Sequence, residues 1–498
     1  MKKLYSLVQT NHKDKKNLYV KGTYQLAENG ILHMKEGNLA DFTTYFNSFS
    51  VKKWKRYTTI KKVTLELQGE GDFAIVFEQL LASGNIIKIP AMMKNGEFSY
   101  SFDVEKISGD ILGFSIKCLS PAGAISSAAW YGEFEQWSEK KIGVSITTFK
   151  REEYVKRTIA VLQDFQKNHE WLDILVVDNG QTLAPEETEH FRIIPNRNFG
   201  GSGGFTRGMI EYVEQGKVDY VLLMDDDIVL EPSAIERTHS LLCGLKEDYR
   251  DSFFGGAMLR MENPLIQHEN TAYWNKIISK VCHKGLNLSD TDSLIKNEKL
   301  NLHTTAYAGW WYCCIPVYRI KQIGYPLPLF IKSDDMEYGI RNHREIMNMN
   351  GIGVWHEIFN KKMSLAIRFY SDRNSLILNH YSPNCNQATL ILAIILRIIK
   401  RITHKDIQSL YVLLLALEDY NSGIEKILKK PSDEKMANLM ALLKQPLPNK
   451  LFSLLYREIG KAIREYPNNH KKYKVFKEQK LQDSQFWKEF MNVNRKVR

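Results

Sequence analysis

The sequence predicts an α/β protein in which a parallel sheet covered by helices follows an antiparallel β-sandwich and precedes a basic helical region. Three observations carry this expectation: period-two alternation early in the chain, apolar strands alternating with helices from Ile142, and amphipathic helical spacing beyond Asn384. A chain of 498 residues exceeds what one hydrophobic core serves, so three domains are expected, at 1–138, 139–383 and 384–498. With 44% hydrophobic and 25% charged residues it is globular in composition, neither disordered nor fibrous.

The first element rests on alternation between about Leu18 and Tyr131. Val63, Leu65 and Leu67 alternate with Thr64, Glu66 and Gln68, and Phe98, Tyr100 and Phe102 alternate with Ser99, Ser101 and Asp103. Turns at Gly69-Glu70-Gly71 and Asn95-Gly96 separate short strands, as in an accessory sandwich. From Lys141 the pattern changes to strands at Ile142 to Thr148, Ile174 to Asp178 and Tyr220 to Met224, with helices near Glu152 to Lys167 and after Gly204. Strands apolar on both faces with helical crossovers predict a parallel sheet, and ligands bind such sheets at the carboxyl ends of the strands.

The third element is helical and basic. Leu451, Leu455, Ile459 and Ile463 recur at four-residue spacing opposite Arg457, Lys461 and Arg464. Such a stripe suits a helix packed on its own domain or one lying on anionic lipid. The longest apolar stretch, Thr389 to Ile399, is too short to span a bilayer and is interrupted by Arg397, so membrane contact is expected to be peripheral. The N-terminus has no apolar stretch of signal-peptide length. Six scattered cysteines without a C-x-x-C pair indicate neither a disulfide framework nor a zinc knuckle and fit a reducing cytoplasm. A formal charge of +11 calls for an anionic partner, and no nucleic-acid motif accompanies it.

Asp225-Asp226-Asp227 directly follows the apolar run Tyr220 to Met224. Alternate side chains of extended chain point the same way, so Asp225 and Asp227 can converge on a hard divalent cation while Asp226 faces elsewhere. A solvated acidic turn is the plainer alternative. Upstream, Asn198-Phe199-Gly200-Gly201-Ser202-Gly203-Gly204-Phe205 reads as a glycine-dense turn opening a helix, whose N-terminus favours a diphosphate. Thr206 breaks the dinucleotide fingerprint and Met209 the phosphate-loop pattern. Downstream stand Gly309-Trp310-Trp311, Ser333-Asp334-Asp335-Met336-Glu337 and Trp355-His356-Glu357. A carboxylate there can take the proton of an acceptor hydroxyl, aromatic faces suit sugar rings, and His356 can complete a metal shell.

Together these segments, with Thr147-Thr148-Phe149-Lys150-Arg151 and Val177-Asp178-Asn179, resemble the inverting galactofuranosyltransferases of bacterial cell-surface polysaccharides, glycosyltransferase family 2, best known as mycobacterial galactan polymerases. The resemblance covers nearly the whole chain and implies a GT-A nucleotide-sugar domain between a β-sandwich and a helical region. It implies that Asp225, Asp227 and His356 bind Mn²⁺ or Mg²⁺, that Asp335 is the general base, and that Thr148, Arg151, Asp178, Asn198 and Asp226 hold the nucleotide sugar. Glu269, Trp310, Trp311 and Asp334 would line the acceptor site. The chain departs from the mycobacterial pattern at Phe359, where a tryptophan is expected, and at Ser371, where a histidine is expected. The implied reaction moves galactofuranose from UDP-galactofuranose to a lipid-linked glycan on the inner face of the cell membrane, and leaves a homo-oligomer open. A dTDP-rhamnose-dependent rhamnosyltransferase and an inactive glycan-binding protein are the competing expectations.

Overall fold

The computed structural model describes residues 1–358, 364–428 and 432–492. Its first layer pair is antiparallel, as the alternation predicts. One sheet runs Gln25–Leu26, Leu32–Lys35, Ala122–Phe134, Ile60–Glu70, Glu97–Asp103, with Lys2–Ser6 also pairing to Ala122–Phe134. The facing sheet runs Lys21–Gly22, Leu39–Asp41, Ile111–Cys118, Phe73–Leu80, Ile86–Met93. Val63, Leu65 and Leu67 pair across from Phe102, Tyr100 and Phe98, so the alternating apolar positions share one face. Phe77 of the facing sheet meets Phe98, Tyr100 and Phe102 at ring separations between 4.9 and 6.1 Å.

The sandwich is fastened to the central domain. The Phe46 and Trp355 rings lie 5.7 Å apart, the Tyr45 hydroxyl donates to Ile352 O, and Arg56 pairs with Glu345 at 2.7 Å. A buried polar chain continues the junction. Ser50 donates to Glu298, Asn350 donates to Glu298 and accepts from Asn297, and Asn297 exchanges hydrogen bonds with Gln267. Every member is satisfied by another, which is what burial of amides and a carboxylate requires.

Among the described residues the central sheet has eight strands. Phe191–Pro195, Leu172–Asp178, Ile142–Thr148 and Tyr220–Asp225 are mutually parallel. Beyond them Cys313–Pro316 is antiparallel to Tyr220–Asp225, a half of the sheet the sequence pattern did not reveal because its strands are short and separated by long excursions. A second sheet of Val229–Leu230, Gly353–His356, Ala257–Arg260 and Gln267–Glu269 pairs Val229 with Trp355, 126 positions apart in sequence.

The glycine segment differs from its expectation. It is not a turn before a helix but the helix itself, Gly200–Gln215. A Cβ on Gly204 would lie 2.2 Å from Thr147 Cγ2 and one on Gly208 1.8 Å from Ser145 Oγ, so these glycines let the helix lie on strand Ile142–Thr148. Two first-turn amides are also occupied, Gly200 N–H by Asn198 Oδ1 and Ser202 N–H by Phe330 O, so close packing is the observed role of these glycines. Gly208→Ala should therefore cost about 1–3 kcal/mol in chemical denaturation. Gly460→Ala, in a long helix where the nearest atom is 3.5 Å away, should be neutral or stabilising.

The C-terminal region is helical, as expected. In Leu451–Lys480 the stripe turns inward: Leu451 and Leu455 are buried and Ile459 packs half-buried against the same core as Leu413, Leu417 and Tyr420 of helix Ile407–Asn421. The domain-packing explanation of that stripe is the one observed. The last described helix, Gln485–Met491, returns to the central domain, where the buried Trp487 donates to Pro326 O at 3.0 Å.

Candidate active site

Three parallel strands end side by side and deliver Thr148, Asp178 and Asp225 to one edge, in register Thr148 with Asp178 and Thr147 with Asp225. The strand ends at Asp225, and the turn through Asp226 and Asp227 then separates the acids in the expected way, though by turn geometry rather than strand alternation. Thr148 Oγ1 donates to Asp226 at 2.7 Å, while Asp225 and Asp227 converge with His356, their ligand atoms within 4.8 Å of one another. His356 Nε2 lies 3.0 Å from Asp227 Oδ1 and 3.8 Å from Asp225 Oδ2. His356 is brought there by strand Gly353–His356, held parallel to Ala257–Arg260.

The chemistry of the three donors fits a divalent cation. His356 Nδ1 lies 2.6 Å from Glu357 O, and because a carbonyl only accepts, Nδ1 carries a proton and Nε2, which faces Asp227 and Asp225, is the atom that would coordinate. Burial pushes Asp225 up to about 7, opposed by His356 and reinforced by Asp227, Asp226 and Asp335. Burial disfavours the His356 imidazolium, but the hydrogen bond to Asp227 and the charges of Asp225 and Asp227 outweigh it and hold it up at about 9. A site that recruits a proton to offset its carboxylates is one a cation can neutralise instead.

Arg151 is at the same edge, its guanidinium paired with Asp227 and 3.5 Å from Asp226. Asp178 is differently employed. Its carboxylate accepts from the N–H groups of Gly180, Thr182 and Leu183 at 2.6 to 2.8 Å, shaping the turn beside the edge rather than facing open space. Asn198 caps Gly200, and its segment is tied to the strand ends through Asn196 N–H to Asp178 O and Asn196 Nδ2 to Asn179 Oδ1.

Across from these acids lies a second carboxyl group set. Asp334 and Asp335 open helix Asp334–Asn342, whose N-terminal dipole favours negative charge. Burial raises both, and the charge of Asp335 raises Asp334 further; Asp335 is restrained by the Met336 N–H it accepts at 2.8 Å and by Lys332. Burial pushes Glu269 up to about 7, with Asp335 adding to the rise and Lys284 and Lys332 opposing it. Glu269 and Asp335 thus share one electrostatic environment, and Asp335 also acts on Asp225.

The backbone before Asp334 is held in an unusual shape, with Phe330, Lys332 and Ser333 all at positive φ. Helix Leu365–Leu378 enforces it: Arg373 Nη2 donates to Leu329 O, and Asn374 Nδ2 to Ile331 O and Lys332 O at 2.9 and 2.7 Å. Strain of this kind persists only where surroundings over-determine it. Arg373 and Asn374 escaped the sequence reading, although Asp372-Arg373-Asn374 inside an otherwise apolar helix was a visible signal. Lys284, Lys332 and Tyr307, which also border Glu269 and Asp335, carried none.

The tryptophans are placed more deeply than expected. Trp310 and Trp311 are 5% and 7% exposed. Trp310 meets Phe205 edge-on at 5.2 Å, and Trp311 Nε1 donates to Gly256 O at 3.0 Å. Neither offers a broad face to a sugar ring; each is packed into an apolar core. Phe359 lies outside the described residues, and Ser371 sits away from the acids, beside the helix Gln387–Thr403.

Residues 7–133 match the family described as galactofuranosyltransferase 2 N-terminal, and residues 140–354 match glycosyltransferase like family 2. Two relatives are the galactofuranosyltransferases GlfT2 of Mycolicibacterium smegmatis and Mycobacterium tuberculosis, each 25% identical, over 82% and 78% of this chain respectively. The match spans 66% of each relative's own length. Among solved structures, residues 1–349 of Staphylococcus aureus TarS with UDP-GlcNAc align over 66% of this chain and 92% of that one, at 12% identity and a TM-score of 0.36.

Proposed function

We propose, from the match of residues 140–354 to glycosyltransferase like family 2 and of residues 7–133 to galactofuranosyltransferase 2 N-terminal, that the chain transfers galactofuranose from UDP-galactofuranose to a hydroxyl of a lipid-linked bacterial cell-surface glycan, with inversion. The observation that carries the reading is the pairing of the Asp225, Asp227 and His356 cluster with Asp335 in one field, on a domain of this family.

A divalent cation, Mn²⁺ or Mg²⁺, bound by Asp225, Asp227 and His356 would supply the positive charge that a departing diphosphate needs. Asp226, held by Thr148, and Arg151, held by Asp227 and Asp226, form the adjoining wall where the nucleotide sugar binds. Arg151 is half-exposed and long enough to exchange a carboxylate for a phosphate oxygen. Asp178 and Asn198 act on the same pocket through the turns they shape. Asp335 takes the proton from the acceptor hydroxyl, and Glu269 and Asp334 beside it orient the acceptor. Of the two neighbouring aspartates, burial and the Asp335 charge push Asp334 up the further, which leaves Asp335 the more readily ionised of the pair, as a base must be. The domains 1–138, 139–383 and 384–498 then divide into a scaffold, the catalytic unit and a membrane-facing helical region, and the protein works at the inner face of the cell membrane. No described helix is long and apolar enough to cross a membrane.

A donor panel tests the reading. UDP-galactofuranose should be turned over with acceptor at least about tenfold faster than dTDP-rhamnose, the discrimination expected of a few pocket contacts. Preference for dTDP-rhamnose would replace the donor, and binding without turnover of either would leave a glycan-binding protein. The base also sets the pH response: protonation removes the acceptor of the proton, so kcat/KM should fall as pH drops through about 6 and level off above it. A profile flat across that range would exclude Asp335 as the base.

A further inference from the structure

A cavity of about 710 Å³, away from the acids, lies between the segment Asn275 to Lys280 and helices Leu365–Leu378 and Gln387–Thr403. Five cationic side chains border it, Arg368, Arg397, Arg401, Lys400 and Lys280, against two carboxylates, Asp372 and Asp406. The carboxylates are already engaged. Asp372 pairs with Arg397 and Arg401, and Asp406 with Arg368 at 3.1 Å while capping Ser409 N–H. Arg401 is 7% exposed, and its Nη1 has no hydrogen-bond partner among the described residues; nor has Arg368 Nε. A buried guanidinium donor left unpaired is costly, and an anion in the cavity would satisfy it.

The helix that supplies Arg397, Lys400 and Arg401 has a second unpartnered feature. Its Leu390 and Ile394 are buried in the core, whereas Leu392, Ile395, Leu396, Ile399 and Ile402 are each between 44% and 51% exposed, a continuous apolar ridge at spacings of three and four. Ile278, on the opposite lip, is 49% exposed. A monomeric water-soluble surface seldom leaves such a ridge uncovered. One chemical species has an anionic group for the cavity and an apolar body for the ridge.

We propose that this cavity receives the phosphate of an anionic lipid while the ridge Leu392 to Ile402 dips into the acyl boundary, which docks the protein on the membrane through helix Gln387–Thr403. The function proposed above makes such docking useful, since the hairpin Ala272–Asn275 and Ile278–Val281 that forms the cavity lip also pairs with Ala306–Tyr307, beside Glu269 and Asp335. The cavity far exceeds a free phosphate ion, which favours a headgroup.

The test is flotation of the full chain with phosphatidylcholine vesicles containing increasing phosphatidylglycerol, read without donor or acceptor, so its outcome is independent of sugar transfer. Binding should rise with the anionic lipid and weaken with salt. Lys400→Gln, at an exposed position that folding does not need, should lower the partition coefficient about fivefold, as should Arg401→Gln. Ile395→Ser with Ile399→Ser should lower it at least tenfold with the thermal midpoint unchanged. Transfer to a short water-soluble acceptor should be unaffected in Lys400→Gln. Vesicle binding equal on neutral and anionic lipid, or unchanged in these variants, would overturn the proposal. So would tight calorimetric binding of pyrophosphate with no vesicle binding, which would make the cavity a site for a free anion.

Discussion

Asp335→Asn should bind the donor normally and lose transfer by roughly 10²- to 10⁴-fold, the usual cost of removing a general base. The carboxamide keeps the shape of the side chain and can still accept the Met336 N–H at the helix start, so the fold has no reason to change. What it loses is the capacity to take a proton. Asp334→Asn is the internal control. Burial and the adjacent Asp335 charge already keep Asp334 protonated, so its amide mimics the state it occupies and should cost much less. Calorimetry for donor binding and product formation for transfer separate the two variants. Loss of donor binding in Asp335→Asn would assign the residue to the nucleotide site, and near-normal transfer would remove it from the mechanism.

The second large effect concerns the metal. Chelation should abolish transfer, and Mn²⁺ or Mg²⁺ should restore it, with zinc a poor substitute because two carboxylates and the substrate phosphates are hard ligands. His356→Ala should raise the cation concentration needed for half activity by about 10- to 100-fold or more, since it removes one of three protein donors. Asp227→Ala should be more severe, because the same change also removes the nearer carboxylate partner of both Arg151 and His356. Full activity in chelator would dissociate the cluster from catalysis and leave it an internal salt-bridge network.

Much of this architecture was written in short-range pattern. Val63, Leu65 and Leu67 announced a half-buried strand because side-chain alternation is imposed by the backbone itself, and each is at most 1% exposed. The acid triplet was legible as three carboxylates at the end of a buried strand, and Asp226 does face Thr148 while its neighbours meet His356, although the turn after Asp225 rather than strand alternation sets them apart. Other features depended on long-range packing. Gly200 to Gly208 read as a turn because glycine is a poor helix former, yet close contact with Ser145 and Thr147 outweighs that penalty. Trp310 and Trp311 looked like sugar platforms, but aromatic rings of that size are as readily consumed by a core, and two cores claimed them. The Leu451 to Ile463 stripe could not say whether protein or lipid covered it. Helix Ile407–Asn421 does, and the uncovered apolar face is on Gln387–Thr403 instead. The joining of His356 to the acids and of Arg373 to the loop before Asp334 needs pairings across more than a hundred and about forty residues, which no local pattern encodes.

The most direct test of galactofuranosyl transfer is mass spectrometry with anomeric NMR of the product formed from UDP-galactofuranose, Mn²⁺ and short synthetic lipid-linked acceptors. The account predicts addition of hexose units in furanose form, with anomeric configuration opposite to that of the donor, and no product from the Asp335→Asn protein on the same timescale. Unmodified acceptor under conditions where donor binds, or a product of retained configuration, would contradict it.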